Sequence, residues 1–429
     1  MKKKYRIILY TSIFLLCVVA SIILVVKKSN SVYEEESKPK VVKHKSMLSM
    51  NLEQTAGAGD YKTVTQSKWP TEGYKFNAEL SRCENGSTLS WDDTKKAVIV
   101  SGNLSDKCYV YFDIYQPTLA EYIKSQYTGT QGENNIYYHD SDLANGAGDN
   151  SYRYAGANPN NFVCFGSDTS PCPTDNLYRI IGVFGENYHG VTGKQLVKLI
   201  KYDYMTTDEL GTDGDYSQTY KEWGMENTYK GTYGDGERIG LYYWNYKATG
   251  SVTNTWSTSL LNKTNLNTNF INNIGTTWAN KIATVTWKVG GNTYANISDV
   301  VPATTYQNEI VNPVTTNTTD NATTYSAKIG LMYVSDYGFA ASPDAWTLTM
   351  SSYNNTTATN NNWMYMGLYE WTISRNADRS DYAFNVDYDG VVYGGNVGGS
   401  SGVRATFSLE SSVSYVSGSG SMSDPIVIN

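Results

Sequence analysis

Twenty consecutive positions, 7 to 26 (IILYTSIFLLCVVASIILVV), carry no charge, glycine or proline, and no comparable run follows. In a helix, twenty residues rise about 30 Å, the depth of a bilayer core. The pattern predicts a transmembrane anchor over 7–26. Lys2, Lys3, Lys4 and Arg6 precede the run, and Lys27 and Lys28 follow it. The positive-inside bias then places residues 1–6 in the cytoplasm and the bulk of the chain outside the cell. A cleaved signal peptide is the alternative. Its apolar region is shorter and ends in a small-x-small site, which Val18-Val19-Ala20 matches poorly. Residues 27–46 are charged and poor in large apolar side chains, as in a flexible stalk.

From 47 to 115 apolar and polar residues alternate. YKFNAELSRC, GSTLSW, KAVIVSG and KCYVYFDIY read as half-buried strands separated by turn residues. This predicts a small β-sandwich-like domain over 47–115. At 116–127 the period changes: Leu119, Tyr122 and Ile123 share one helical face behind Pro117. That predicts a connector helix into a larger domain over 128–429. There, LYRIIGVFG (177–185) and QLVKLIKYDY (195–204) are near-continuous apolar runs of a buried strand pair. IGLYYWNY (239–246), AKIGLMYVSDYG (327–338), GLYEWTIS (367–374) and GVRATFSL (402–409) read as further strands. WSTSLLNKTNLNTNFINNI (256–274) has helical spacing. YAFNVDYDGVVYGG (382–395) reads as a hairpin turning at Asp389-Gly390. Strands and short helices in no βαβ order make the class α+β.

Composition narrows the partners. The chain has 34 Lys+Arg against 41 Asp+Glu, net −7. Residues 1–30 hold six basic residues and no acid, so the remainder carries 28 basic against 41 acidic, or −13. Phosphate binding needs concentrated Lys and Arg, so nucleic acid is not expected as a partner. Thirty-seven tyrosines and ten tryptophans suit β surfaces, and they also suit contact with sugars or proteins. Outside the span, the cysteines fall as two local pairs, Cys83 with Cys108 and Cys164 with Cys172. In an exported chain these read as two disulfides. Metal-site spacing is missing, and no histidine lies close to either pair.

No motif fixes a reaction, and no cofactor is expected. His44, His139 and His189 have no elbow-like serine near them, and H-E-x-x-H, Walker A and G-x-G-x-x-G after a strand are missing. Asp140, Asp142, Asn145 and Asp149 offer oxygen ligands for a calcium ion. The EF-hand spacing fails, however, because Ser151 stands where a bidentate Glu belongs. Aromatic residues gather near the end of the chain. Trp363, Tyr365, Tyr369, Tyr388 and Tyr393, with Asp389, are the candidate binding residues, while Trp371 reads as core.

The run EWTIS, YAFNVDYDGVVYGG, GVRATFSL and the closing GSGSMSDPIVIN resembles a bacterial domain of unknown function carried by anchored surface proteins of gut bacteria. SYRYAGANPNNFVCFG (151–166), YRIIGVFG (178–185), VKLIKYDYM (197–205), WSTSLLNKTNLNTNF (256–270) and IGLMYVSDYGFAAS (329–342) are similar to its upstream segments. The resemblance brings no activity with it. Glu370, Trp371, Thr372, Gly402 and Arg404 also resemble the formylglycine-generating-enzyme branch of C-type-lectin-like folds. This second resemblance implies a lectin-like fold for 128–429. It does not extend to the oxidase chemistry, since no Cys follows Cys172 and the histidine ligands are missing. The sequence therefore leads us to expect a membrane-anchored extracellular protein that binds a glycan or protein without catalysis. The alternatives are an extracellular glycan or cell-wall hydrolase and a structural envelope component.

Overall fold

A computed structural model describes residues 48–65, 68–70, 73–103, 105–214, 216–219, 228–233, 239–313, 322–354 and 356–429. The expected anchor over 7–26 and stalk over 27–46 lie outside these residues. Among the described residues no helix is long and apolar enough to cross a membrane. That finding stands against the spanning helix in the expected fold class and against the single-pass, cell-membrane localisation, and both are corrected here. The helices that form are short or polar. The longest helical run among the described residues, Leu261–Ala279, is rich in Asn and Thr and is broken at Gly275, where φ is 76°. What remains of the expected class is α+β.

The described residues divide into two compact units, one ending at Gln116 and the other beginning at Pro117. The smaller holds a four-stranded sheet in the order Tyr61–Val64, Leu48–Glu53, Cys108–Ile114, Tyr74–Cys83. Leu48–Glu53 runs parallel to Cys108–Ile114, with Met50 opposite Val110, and the other pairs are antiparallel. A separate hairpin pairs Thr88–Asp92 with Ala97–Ser101. Alternation puts Met50, Leu52, Val110 and Phe112 on one buried face. The Phe112 ring meets Trp69, Phe76 and Trp91 at centroid distances of 5.6–5.9 Å. Cys83 and Cys108 stand opposite each other on neighbouring strands and are joined by a disulfide.

The larger unit is built on two sheets. The first runs in the order Ile329–Gly330, Thr406–Ser408, Leu196–Lys201, Leu177–Phe184, Ser151–Tyr154, Ile136–His139, with Phe162–Cys164 also pairing Leu177–Phe184. Its two central strands are buried at every position, as their continuous apolar runs require. The second runs in the order Tyr216–Thr219, Ile239–Tyr243, Ser400–Gly402, Glu370–Arg375, Tyr382–Val386, Val392–Asn396. Helix Leu119–Ser125 is no free connector. Leu119 and Ile123 are fully buried in the large unit's core, and the Leu119 N–H donates to the Val413 carbonyl. A Thr118–Glu121 capping box starts the helix. Cys164 and Cys172 form the second disulfide.

Residues 327–338 depart from the expected strand. Ala327 ends a strand paired with Val285, Ile329–Gly330 pairs with Thr406 and Phe407, and Val334–Ala340 is a helix. Two carboxylates set its start. Asp336 accepts the Tyr333 N–H at 3.0 Å, and Glu309 accepts the N–H groups of Val334 and Ser335 at 3.2 and 3.0 Å. A short apolar run is consistent with either element by periodicity, and these partners decide it.

Candidate functional site

The site begins with a segment that has little regular structure, Asn362 to Leu368. Its buried backbone groups need partners, and they find them mainly on side chains from elsewhere in the unit. The Trp363 carbonyl accepts from Arg179 Nη1 at 3.3 Å, and the Met364 carbonyl from Arg404 Nη2 at 2.7 Å. The Gly367 carbonyl accepts from Thr228 Oγ1 at 2.9 Å. The Tyr204 hydroxyl donates to the Leu368 carbonyl at 3.1 Å and accepts the Leu368 N–H at 3.2 Å. Gly367 has φ +87°, and a Cβ there would collide with the Thr228 carbonyl. A glycine is therefore required at that position. Asn362 closes the turn from within: its amide donates to the Tyr337 carbonyl, and its Oδ1 accepts the Met364 N–H, both at 2.9 Å.

Beside this segment lies a cavity of about 470 Å³. It is lined by the strip 157–160, Phe162 and Tyr202, by Asn360, Asn362, Trp363, Tyr365 and Met366, and by Lys230 and Met422. Arg179 faces it from the Leu177–Phe184 strand, only 6% exposed. Its guanidinium lies 4.4 Å from the Phe162 ring centroid and 4.6 Å from that of Trp363. Nε donates to Asn161 Oδ1 at 2.7 Å and Nη2 to the Pro159 carbonyl at 3.1 Å. Burial draws its pKa down to about 9, so the group stays a cation at neutral pH. Lys230 Nζ donates to the Thr359 carbonyl at 2.7 Å and sits 4.4 Å from the Tyr365 ring centroid. Among the described residues no Asp or Glu lines the cavity, and no carboxylate oxygen lies within 4 Å of Arg179.

The candidate aromatics separate in space. Trp363 and Tyr365 line the cavity and are otherwise buried. Trp363 Nε1 donates to the Tyr154 carbonyl at 2.9 Å, and the Tyr365 hydroxyl donates to the Tyr388 carbonyl. Tyr388 is exposed and packs edge-on against Tyr369 at 5.6 Å, while Asp389 accepts the Val391 N–H within its turn. The hairpin tip is not wholly outside: Gly390 is buried, and its carbonyl accepts from the Tyr337 hydroxyl at 2.9 Å. Tyr393 belongs to another patch, exposed and 3.2 Å from the Tyr294 hydroxyl. Trp371 is core, donating to the Tyr242 carbonyl at 2.7 Å.

The acidic loop is occupied by its own contacts. Asp140 accepts the N–H groups of Asp142 and Leu143, and Asn145 takes a left-handed φ of 59°. Asp149 turns away to Arg153 Nη2 at 2.7 Å. Among the described residues, the side chains of Cys83, Asp106 and Cys108 come together as a metal's ligands would. There the two sulfurs are already joined to each other, and Asp106 is taken by the Asn85 and Ser87 N–H groups. The segments carrying Glu370, Gly402 and Arg404 also meet: Glu370 pairs with Gly402 across parallel strands, and Arg404 Nε lies 2.8 Å from Glu370 Oε1. Their role here is to carry the Arg404 guanidinium to the Met364 carbonyl.

Arg179 and Lys230 are the residues that sequence patterning missed. Arg179 left a signal, as the one charge inside the apolar run LYRIIGVF. Lys230 left none. No protein-family model, no curated protein and no solved structure matches the chain, so neither resemblance drawn from the sequence gains support there.

Proposed function

We propose that the chain is a binding protein that takes a saccharide in the Arg179 cavity and does no chemistry on it. The observation that carries this reading is the lining of a concave 470 Å³ space by Trp363, Tyr365 and Phe162 together with the side chains of Asn158, Asn160 and Asn360. Aromatic faces suit the apolar face of a sugar ring, and amides donate to and accept from its hydroxyls. Glycoside hydrolysis needs two carboxyl groups about 5–9.5 Å apart across the scissile bond. With no Asp or Glu on the cavity wall among the described residues, binding is favoured over hydrolysis at this place.

A glycan array probed with the full chain tests the reading. Met422 is 41% exposed and lines the cavity, so Met422→Trp fills part of the space without touching the core. The expected outcome is saccharide binding that this variant lowers by about tenfold or more, the effect of roughly 1.4 kcal/mol. Binding that ignores the filled cavity, or no binding to any glycan, rejects the proposal.

A further inference from the structure

The cavity is positive in a protein whose composition is acidic, net −7. The bias comes from placement, since Arg153, Lys198, Lys201 and Arg404, also buried, each touch a carboxylate. Arg153 meets Asp149 at 2.7 Å, Lys198 meets Asp336 at 2.7 Å, Lys201 meets Glu209 at 2.9 Å and Arg404 meets Glu370 at 2.8 Å. Arg179 is buried too, yet among the described residues its three hydrogen-bond partners are the neutral oxygens of Asn161, Pro159 and Trp363.

A guanidinium carries five N–H donors, so three bonds leave two of them uncommitted. Burying a charge without a counter-ion is unfavourable by several kcal/mol in general. The fold bears this at the one buried arginine that opens on the cavity, with a second cation, Lys230, on the same lining. An anionic guest would supply the missing charge. A carboxylate matches the planar fork of Arg in a way a point charge does not. The surrounding amides and aromatic faces suit the sugar that carries it.

We infer that the ligand of this cavity is an acidic saccharide whose carboxylate pairs with Arg179, with Lys230 as a second, outer cation. This deepens the saccharide-binding reading above and rests on it.

The test uses the full chain on acidic oligosaccharides containing uronic or sialic acids. They are printed beside the same oligosaccharides with each carboxylate reduced to an alcohol, and beside sulfated and phosphorylated sugars. The acidic forms should bind, with about tenfold or greater loss on reduction, as expected when a charge-assisted bidentate pair is removed. Lys230 is exposed, so Lys230→Gln should keep the thermal transition while weakening the acidic forms about three- to tenfold. Arg179→Met should abolish the preference for acid over alcohol. If that variant does not fold, Lys230→Gln and the reduced ligands still decide. Equal binding of acid and reduced forms overturns the charge inference while saccharide binding stands. Binding of sulfated or phosphorylated sugars with none of carboxylated ones overturns the carboxylate. Binding to no sugar at all overturns both readings.

Discussion

Two places in the larger unit hold buried cations among aromatic rings. In the core, Lys198 Nζ lies 4.2 Å from the Tyr333 ring centroid, and Arg153 lies 4.7 Å from that of Phe184 and 4.9 Å from that of Phe339. At the cavity, Arg179 stands between Phe162 and Trp363 at similar distances. The difference is in the anions. Asp336 touches Lys198, lies 3.9 Å from Arg153 and accepts from the Tyr188 hydroxyl at 2.6 Å, while Asp149 takes the other side of Arg153. The core set is internally neutralised, with two carboxylates for two cations, although Arg153 Nη1 makes no hydrogen bond. The cavity set is open and carries a surplus of charge. Cations among aromatic rings therefore do not mark a site by themselves, and the presence of the counter-charge tells the two apart.

The sharpest way to break the comparison is Asp336→Asn. It leaves Lys198 and one side of Arg153 without their anion in a place that excludes water. Chemical denaturation should show about 3–5 kcal/mol of lost stability. A loss below about 1 kcal/mol would mean that the core set is not held together by its charges.

Glu309 sharpens the same point from the opposite sign. It is a buried carboxylate held by the Val334 and Ser335 N–H groups and the Ser374 hydroxyl, and burial pushes its pKa up to about 7. The folded chain then holds a proton that the unfolded chain has released between pH 4.5 and 7. Stability from this group should therefore be fully present below about pH 4.5 and be lost as pH rises through 7, by on the order of 3 kcal/mol. Glu309→Gln removes that titration, so the gap between variant and parent in urea midpoint should change across pH 5 to 8. A gap independent of pH would show that Glu309 does not titrate in that window. Lys198 adds a separate trend at higher pH. Burial lowers it from 10.5 to about 8, so the unfolded chain binds the extra proton and stability should climb from pH 8 towards 10.5.

The smallest effect on folding belongs to the cavity. Among the described residues Arg179 has no anion to leave behind, so Arg179→Met should lose only hydrogen bonds to neutral oxygens, about 1–2 kcal/mol. Denaturation measured beside Asp336→Asn checks the ordering. An Arg179 variant that destabilises as much as the Asp336 variant would erase the distinction between the two places.

Much of the framework is readable from residue patterns. The runs at 177–185 and 195–204 announce a buried strand pair, because a strand covered on both faces has no polar alternation to show. The turn at 387–390 follows from Asp389-Gly390. The helix at 334–340 was hidden, since Val334 and Tyr337 have helical spacing while Tyr337 and Phe339 alternate as in a strand, and the capping groups that decide come partly from Glu309, far back in the chain. The cavity was half visible. Trp363 and Tyr365 stood out as aromatics, but Tyr393, close in sequence, sits on a different surface. The rest of the lining, 157–160 and Phe162, lies about two hundred positions upstream, a meeting that only the assembled fold creates.

The pinning of the 362–368 segment has a further consequence, for biosynthesis. Its carbonyls are held by Arg179, 184 positions before Trp363, by Tyr204, 164 positions before Leu368, and by Arg404, 40 positions after Met364. Contacts of such long sequence separation close late, after the shorter loops have formed. A chain emerging from the ribosome can pair its central strands, yet it cannot seat this segment until Arg404 has cleared the exit tunnel. Competence to bind would then be acquired only once Arg404 is available and would serve as a sign that both sheets are complete.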